Sequence, residues 1–170
     1  QGVFFTPSHG YSMSALTMDP ELGQVRRLEF DFQDSRHPVG IWANYGGKDL
    51  SDYDFLSVPF KLGEGTPGNI RLKFEMKGMG QVIVTGALTR EWNYLSIPLP
   101  KASRDLSQLA ISIQPCDGQP VSGTVFLGPL SAMKIRTSNR VDWEALLDRS
   151  EAEIRDLIVP IPAVTAPPVH

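Results

Sequence analysis

Apolar and polar residues alternate along most of the chain, most regularly between Val39 and Lys77. Leu56, Val58, Phe60 and Leu62 share one parity, with Ser57, Pro59 and Lys61 on the other. Ile70, Leu72, Phe74 and Met76 repeat the pattern against Arg71, Lys73 and Glu75. A strand sends successive side chains to opposite faces, so each segment predicts one buried face and one wet one. The intervening GGKDLSD (46–52) and GEGTPG (63–68) supply residues that tolerate positive φ or preset a turn.

The same rhythm predicts strands elsewhere. Tyr11 to Met18 reads as a short edge strand, and Gln24 to Gln33 sets Leu28, Phe30 and Phe32 against Arg27, Glu29 and Asp31. Val39 to Tyr45 puts Val39, Ile41 and Ala43 opposite Trp42 and Asn44. A Gly78-Met79-Gly80 hairpin leads into Gln81 to Leu88. Glu91 to Pro100 sets Leu95, Ile97 and Leu99 against Trp92, Tyr94 and Ser96, and Ser107 to Gln114 sets Leu109, Ile111 and Ile113 against Ser112 and Gln114. Gly123 to Ile135 is a last long strand interrupted at Pro129, whereas residues 1–10 show no clear period. About nine or ten short strands at this spacing predict an all-β protein, a two-sheet antiparallel β-sandwich. The absence of alternating helices and strands excludes a doubly wound fold.

Beyond Ile135 the pattern changes. Asn139 suits a helix N-cap and Asp142 its first turn, while Trp143, Leu146, Leu147, Ile154, Leu157 and Ile158 mark one helical stripe that Pro160 ends. The expected organisation is a sandwich over 1–137, an amphipathic C-terminal α-helix over 138–159 and a Pro-rich tail or linker over 160–170. The stripe needs a covering surface, either its own sandwich or a partner protein docked through residues 139–170.

Several stretches carry a family resemblance: GIWANYGGKDLSDYDFLSVPFK, REWNYLSIPL, DLSQLAISI and GTVFLGPLSAMKI. Together, over about residues 24–135, they resemble the galactose-binding-like β-jelly roll found in carbohydrate-binding modules of glycoside hydrolases. The resemblance implies a jelly-roll sandwich, non-catalytic binding of an oligo- or polysaccharide, and an extracellular or periplasmic setting. It also implies a structural calcium, which such modules often hold. The same jelly roll serves in assembly, adhesion and receptor-binding proteins, so a protein-interaction module is the alternative.

Composition narrows the choice. The 170 residues suit one domain, and 15 Gly with 14 Pro fit many tight turns. A net charge of −3 with scattered Lys and Arg argues against nucleic acid as a partner. Cys116 is the lone cysteine, and no apolar run is long enough to span a bilayer.

Catalytic signatures are missing. There is no G-x-S-x-G, no phosphate-binding glycine motif, and no His or Cys pair at metal-binding spacing; His9, His37 and His170 fall in loops or the tail. Glu29, Asp31 and Glu75 lie on polar strand faces, where a hydrolase or lyase pair is geometrically conceivable but nothing selects one. No cofactor is required. Asp49 and Asp52 crowd one turn, where they either hold a structural Ca2+ or simply make Asx turns. The strongest signal is parity: Trp42, Asn44, Arg71, Lys73, Glu75, Trp92, Tyr94 and Gln114 all face away from the core aliphatics of their own strands. Gathered on one sheet, they form an aromatic and hydrogen-bonding groove suited to a sugar. Single outward aromatics also serve merely to cover cross-strand neighbours.

Overall fold

The computed structural model describes residues 1–100 and 105–135, which form eleven strands and no helix. In chain order these are β1 (Gly2–Phe4), β2 (Gly10–Asp19), β3 (Gly23–Phe32), β4 (Gly40–Asp49), β5 (Phe55–Leu62), β6 (Ile70–Lys77), β7 (Gln81–Val84), β8 (Asn93–Pro98), β9 (Asp105–Pro115), β10 (Val121–Leu127) and β11 (Ser131–Met133). The helix and tail expected over 138–170 lie outside the described residues.

Two antiparallel sheets result. The first runs β1-β4-β9-β6-β7; the second holds β11-β5-β10-β3-β2, with β8 also paired to β5. β8 runs along one edge of β5, while β10 and β11 share the other, successive pieces of one strand broken at Pro129. Between the sheets lies the core that the alternation predicts: Leu28 and Phe30 from β3, Leu56 and Val58 from β5, Leu72 and Phe74 from β6, Ile113 from β9 and Val125 from β10, each at most 2% exposed. Ser12, buried on β2, reaches across the sandwich to the carbonyls of Phe4 (3.0 Å) and Gly40 (2.9 Å), tying the second sheet to the first.

Four departures from the sequence pattern have local causes. Gly2–Phe4 pairs with β4 as an edge strand too short to show a period. β4 runs on past Tyr45 through a register shift between Asn44 and Lys48. There Gly46 and Gly47 take φ of 66° and 74°, and Asn44 Oδ1 accepts the Gly46 N–H at 2.9 Å. β7 ends at Val84 because the Thr85 hydroxyl replaces a backbone acceptor, taking the Leu72 N–H at 2.9 Å. β5 has no wet face: Ser57 and Pro59 are buried as well as the aliphatics.

Candidate functional site

The outward face of the first sheet can be read from its register. Gly2 pairs with Trp42, Trp42 with Ala110, Ala110 with Glu75 and Glu75 with Val82, so these five side-chain positions form one row across the sheet. The neighbouring row is Phe4, Gly40, Ser112, Lys73 and Val84. Arg71 pairs with Gln114 beyond it, and Asn44, Gln108 and Lys77 form a row on the other flank. Six of the eight predicted ligand-binding residues, Trp42, Asn44, Arg71, Lys73, Glu75 and Gln114, therefore share one face. With strands about 4.8 Å apart, Trp42 and Val82 stand about 14 Å from one another across it.

The face is apolar at both edges and polar in the middle. Phe4 and Trp42 stand at one edge; Val82 (59% exposed) and Val84 (42%) stand at the other. Trp42 lies against Gly2, where a Cβ would meet the indole at 3.1–3.3 Å, so β1 backs one side of the ring. Trp42 also borders a cleft of about 270 Å³ that opens between the sheets beside Gln1, Leu16 and Arg26. In the middle, Lys73 and Glu75 form an ion pair, half-exposed on β6. Arg71 Nε is buried without a hydrogen-bond partner among the described residues. At the Arg71 end, Asn69 Nδ2 donates to Asp117 at 3.0 Å. The Gln119 N–H and Asn69 together hold the Asp117 carboxyl below its ordinary range, against a smaller opposing effect of burial.

Trp92 and Tyr94 belong elsewhere. β8 pairs with β5, so Tyr94 joins the second sheet and Trp92 sits just before that strand, on the opposite side of the sandwich from Trp42. One furrow holding all three rings does not form. Parity within a strand reports inward or outward, not which of two sheets the strand enters. Trp92 is tied into structure: its Nε1 donates to Asp19 Oδ1 at 3.2 Å, and the Lys61 ammonium sits 4.5 Å from its ring centroid. Asp19 also accepts from the Glu21 and Leu22 N–H groups and from Lys61 Nζ at 2.7 Å. Leu22, carried by this turn, reaches the Pro59 and Gly128 side of β5. The turn thus covers the outer side of β5. The Lys61 hydrogen bond is the largest influence in lowering the Asp19 carboxyl from its ordinary 3.8 to about 2; the backbone N–H groups and Trp92 add to it while burial opposes. Tyr94 remains 55% exposed on this second face.

Asp49 makes the Asx turn its sequence invites, accepting the Ser51 N–H at 2.8 Å and its hydroxyl at 3.1 Å. Neither Asp49 nor Asp52 joins a group of three potential metal-ligating side chains among the described residues. The group that does form is His9, Asp34 and His37, whose spacing in sequence gave no sign of it. Of the carboxylates, Glu75 faces outward from the first sheet, whereas Glu29, paired with Arg27 at 2.7 Å, and Asp31 lie on the second.

No protein-family model matches the chain, and no curated protein matches it by sequence. Solved structures do match. The chain is similar to the family 11 carbohydrate-binding module from Clostridium thermocellum in complex with a β-1,3-1,4-mixed-linked tetrasaccharide: TM-score 0.59, 10% identity, 78% of this chain and 88% of that one. It is similar to the family 11 module of the cellulosomal cellulase Lic26A-Cel5E of the same organism, at TM-score 0.57, 10% identity, 79% and 87% coverage. It also matches Caldicellulosiruptor saccharolyticus CBM27-1 in complex with mannohexaose, at TM-score 0.54, 13% identity, 72% and 82% coverage. At such identities the likeness is one of fold. The chain has the β-sandwich jelly roll of carbohydrate-binding modules, as its sequence motifs suggested.

Proposed function

We propose that the protein is a non-catalytic carbohydrate-binding module whose ligand lies across the outward face of the first sheet. One observation carries the reading: six side chains of sugar-binding character, Trp42, Asn44, Arg71, Lys73, Glu75 and Gln114, lie together on that face. Trp42 offers an indole for the apolar face of a pyranose, and the charged and amide groups bond its hydroxyls. Val82 and Val84 extend the contact at the far edge. Along β6, Arg71, Lys73 and Lys77 outnumber Glu75, while the acidic groups Asp49 and Asp105 lie at one end of the sheet, so the β6 strip favours glycans bearing carboxylates. A catalytic pair finds little support, since Glu75 is ion-paired to Lys73 and lies on the opposite sheet from Glu29 and Asp31. Polymeric glycan as ligand places the working compartment outside the cytoplasm, extracellular or periplasmic.

Titration calorimetry against mixed-linkage glucan, mannan, xylan and uronate-containing polymers tests this. The expected result is saturable binding to at least one polymer. Trp42→Ala weakens it at least about tenfold, about 1.4 kcal/mol, while Tyr94→Ala leaves it unchanged. Absence of binding across the panel, or equal loss in both variants, overturns the reading. Docking of a protein partner through 139–170 concerns residues outside those described, and no observation favours it over the glycan reading.

A further inference from the structure

We propose that His9, Asp34 and His37 form a binding site for a divalent transition-metal ion of the Zn2+, Ni2+ and Cu2+ class, clipping together two turns at one end of the sandwich. His9 closes the turn between β1 and β2, where its N–H bonds Thr6 O at 2.8 Å. His37 closes the turn between β3 and β4, where its N–H bonds Asp34 O at 3.2 Å. The fold brings the two turns together so that the imidazoles stack, centroids 3.8 Å apart and planes within 6°. One nitrogen of each ring and one oxygen of Asp34 lie within 4.8 Å of one another.

The spacing of Asp34 and His37 suits both as ligands. His37 Nδ1 is 3.0 Å from Asp34 Oδ1. That is close to the spacing of two donors on one ion, so an ion bound there displaces the Nδ1 proton to solvent and takes both atoms as ligands. With one nitrogen of His9 they make a donor set of two nitrogens and one oxygen. That set is wrong for Ca2+, which takes six to eight oxygens, and right for a borderline-soft ion with three protein ligands and an open position. Bonds of about 2.0–2.1 Å in a tetrahedral site put donor atoms about 3.3 Å apart. Stacked rings aim their lone pairs side by side, so closure needs one ring to turn. His9, exposed and followed by Gly10, is the one placed to do so.

The glycan reading does not use these residues, and the test is independent of it. The full chain, stripped of metal and of any affinity tag, is titrated with Zn2+ in phosphate-free buffer at neutral pH. One saturable site is expected. His9→Ala, His37→Ala and Asp34→Asn each weaken it at least about tenfold. His170→Ala keeps wild-type affinity, and Ca2+ does not displace Zn2+. Zn2+ raises the melting temperature of the wild type but not that of the histidine variants, each compared with its own metal-free form. Cu2+ bound to the wild type, read by electron paramagnetic resonance, shows hyperfine coupling to two imidazole nitrogens, a readout that needs no variant. The proposal is overturned if none of the three ions binds saturably, if His9→Ala/His37→Ala binds as the wild type does, or if the copper spectrum shows no nitrogen.

Discussion

At the scale of single residues, Asp19 best shows how burial and pairing create a pH dependence. Its carboxylate meets the Lys61 ammonium, two backbone N–H groups and the Trp92 indole, and the folded state holds it at about 2 against an ordinary 3.8. A depressed carboxyl contributes stability that is fully present above the unfolded value and is lost as pH falls through the folded one. Asp34 acts in the same sense: burial works to raise it, but the Arg36 N–H, the His37 ring, the Arg36 guanidinium and the His37 charge together hold it at about 2. Stability is therefore expected to fall steeply between about pH 4 and pH 2. Asp19→Asn should be less stable than the wild type at neutral pH and show a shallower decline over that interval. Urea unfolding at a series of pH values checks this, and parallel declines in the two proteins would refute the assignment. The sequence shows Trp92 as an outward aromatic. What it withholds is the partner, because Asp19 and Lys61 lie far from Trp92 in the chain and meet only once β2, β5 and β8 have packed.

Individual elements were the most legible part of the molecule. β3, β6 and β9 follow their alternation nearly residue for residue, since a sandwich core accepts apolar side chains from one parity of each strand. Legibility fails where the backbone needs something other than a side chain. Gly40 begins β4 because nothing larger fits: a Cβ there would lie 2.1 Å from Ile111 O and 2.6 Å from the Phe4 ring. A single glycine in a strand does not announce this; it marks a bulge or a close approach without saying which. Gly40→Ala is expected to cost about 2–3 kcal/mol through forced displacement of β9 or β1, lowering the melting temperature by about 4–12 °C. Gly46, at φ 66° with no atom near its missing Cβ, suffers only the left-handed penalty in Gly46→Ala, about 1 kcal/mol. Thermal unfolding of the two variants side by side separates packing from backbone strain, and equal shifts would contradict the distinction.

On the scale of the whole molecule, the two sheet faces have been given different tasks. The outer side of β5 in the second sheet is closed by the Asp19 turn and Trp92, while the outward face of the first keeps its rows of charged, amide and aromatic groups. Pattern alone could name the outward residues but could not divide them, since sheet membership is set by pairings such as that of β8 with β5 across distant segments. The division has an electrostatic consequence. The protein is acidic as a whole, with a net charge of −3, yet the β6 strip of the first face carries Arg71, Lys73 and Lys77 against Glu75. Exposed charges act through solvent and are screened over about 8 Å at physiological ionic strength. Binding of a uronate-bearing polymer should therefore weaken as NaCl is raised from 50 mM toward 1 M, where the screening length drops to about 3 Å. Binding of a neutral glycan, held by stacking on Trp42 and by uncharged hydrogen bonds, should barely change. Arg71→Gln or Lys77→Gln should flatten the salt dependence for the acidic polymer, whereas Trp42→Ala weakens both ligands without altering the slope. Calorimetric titrations at three or more salt concentrations read these slopes directly. A salt-independent affinity for the acidic polymer would leave the face as a sugar platform but remove its positive charge from the account of selectivity.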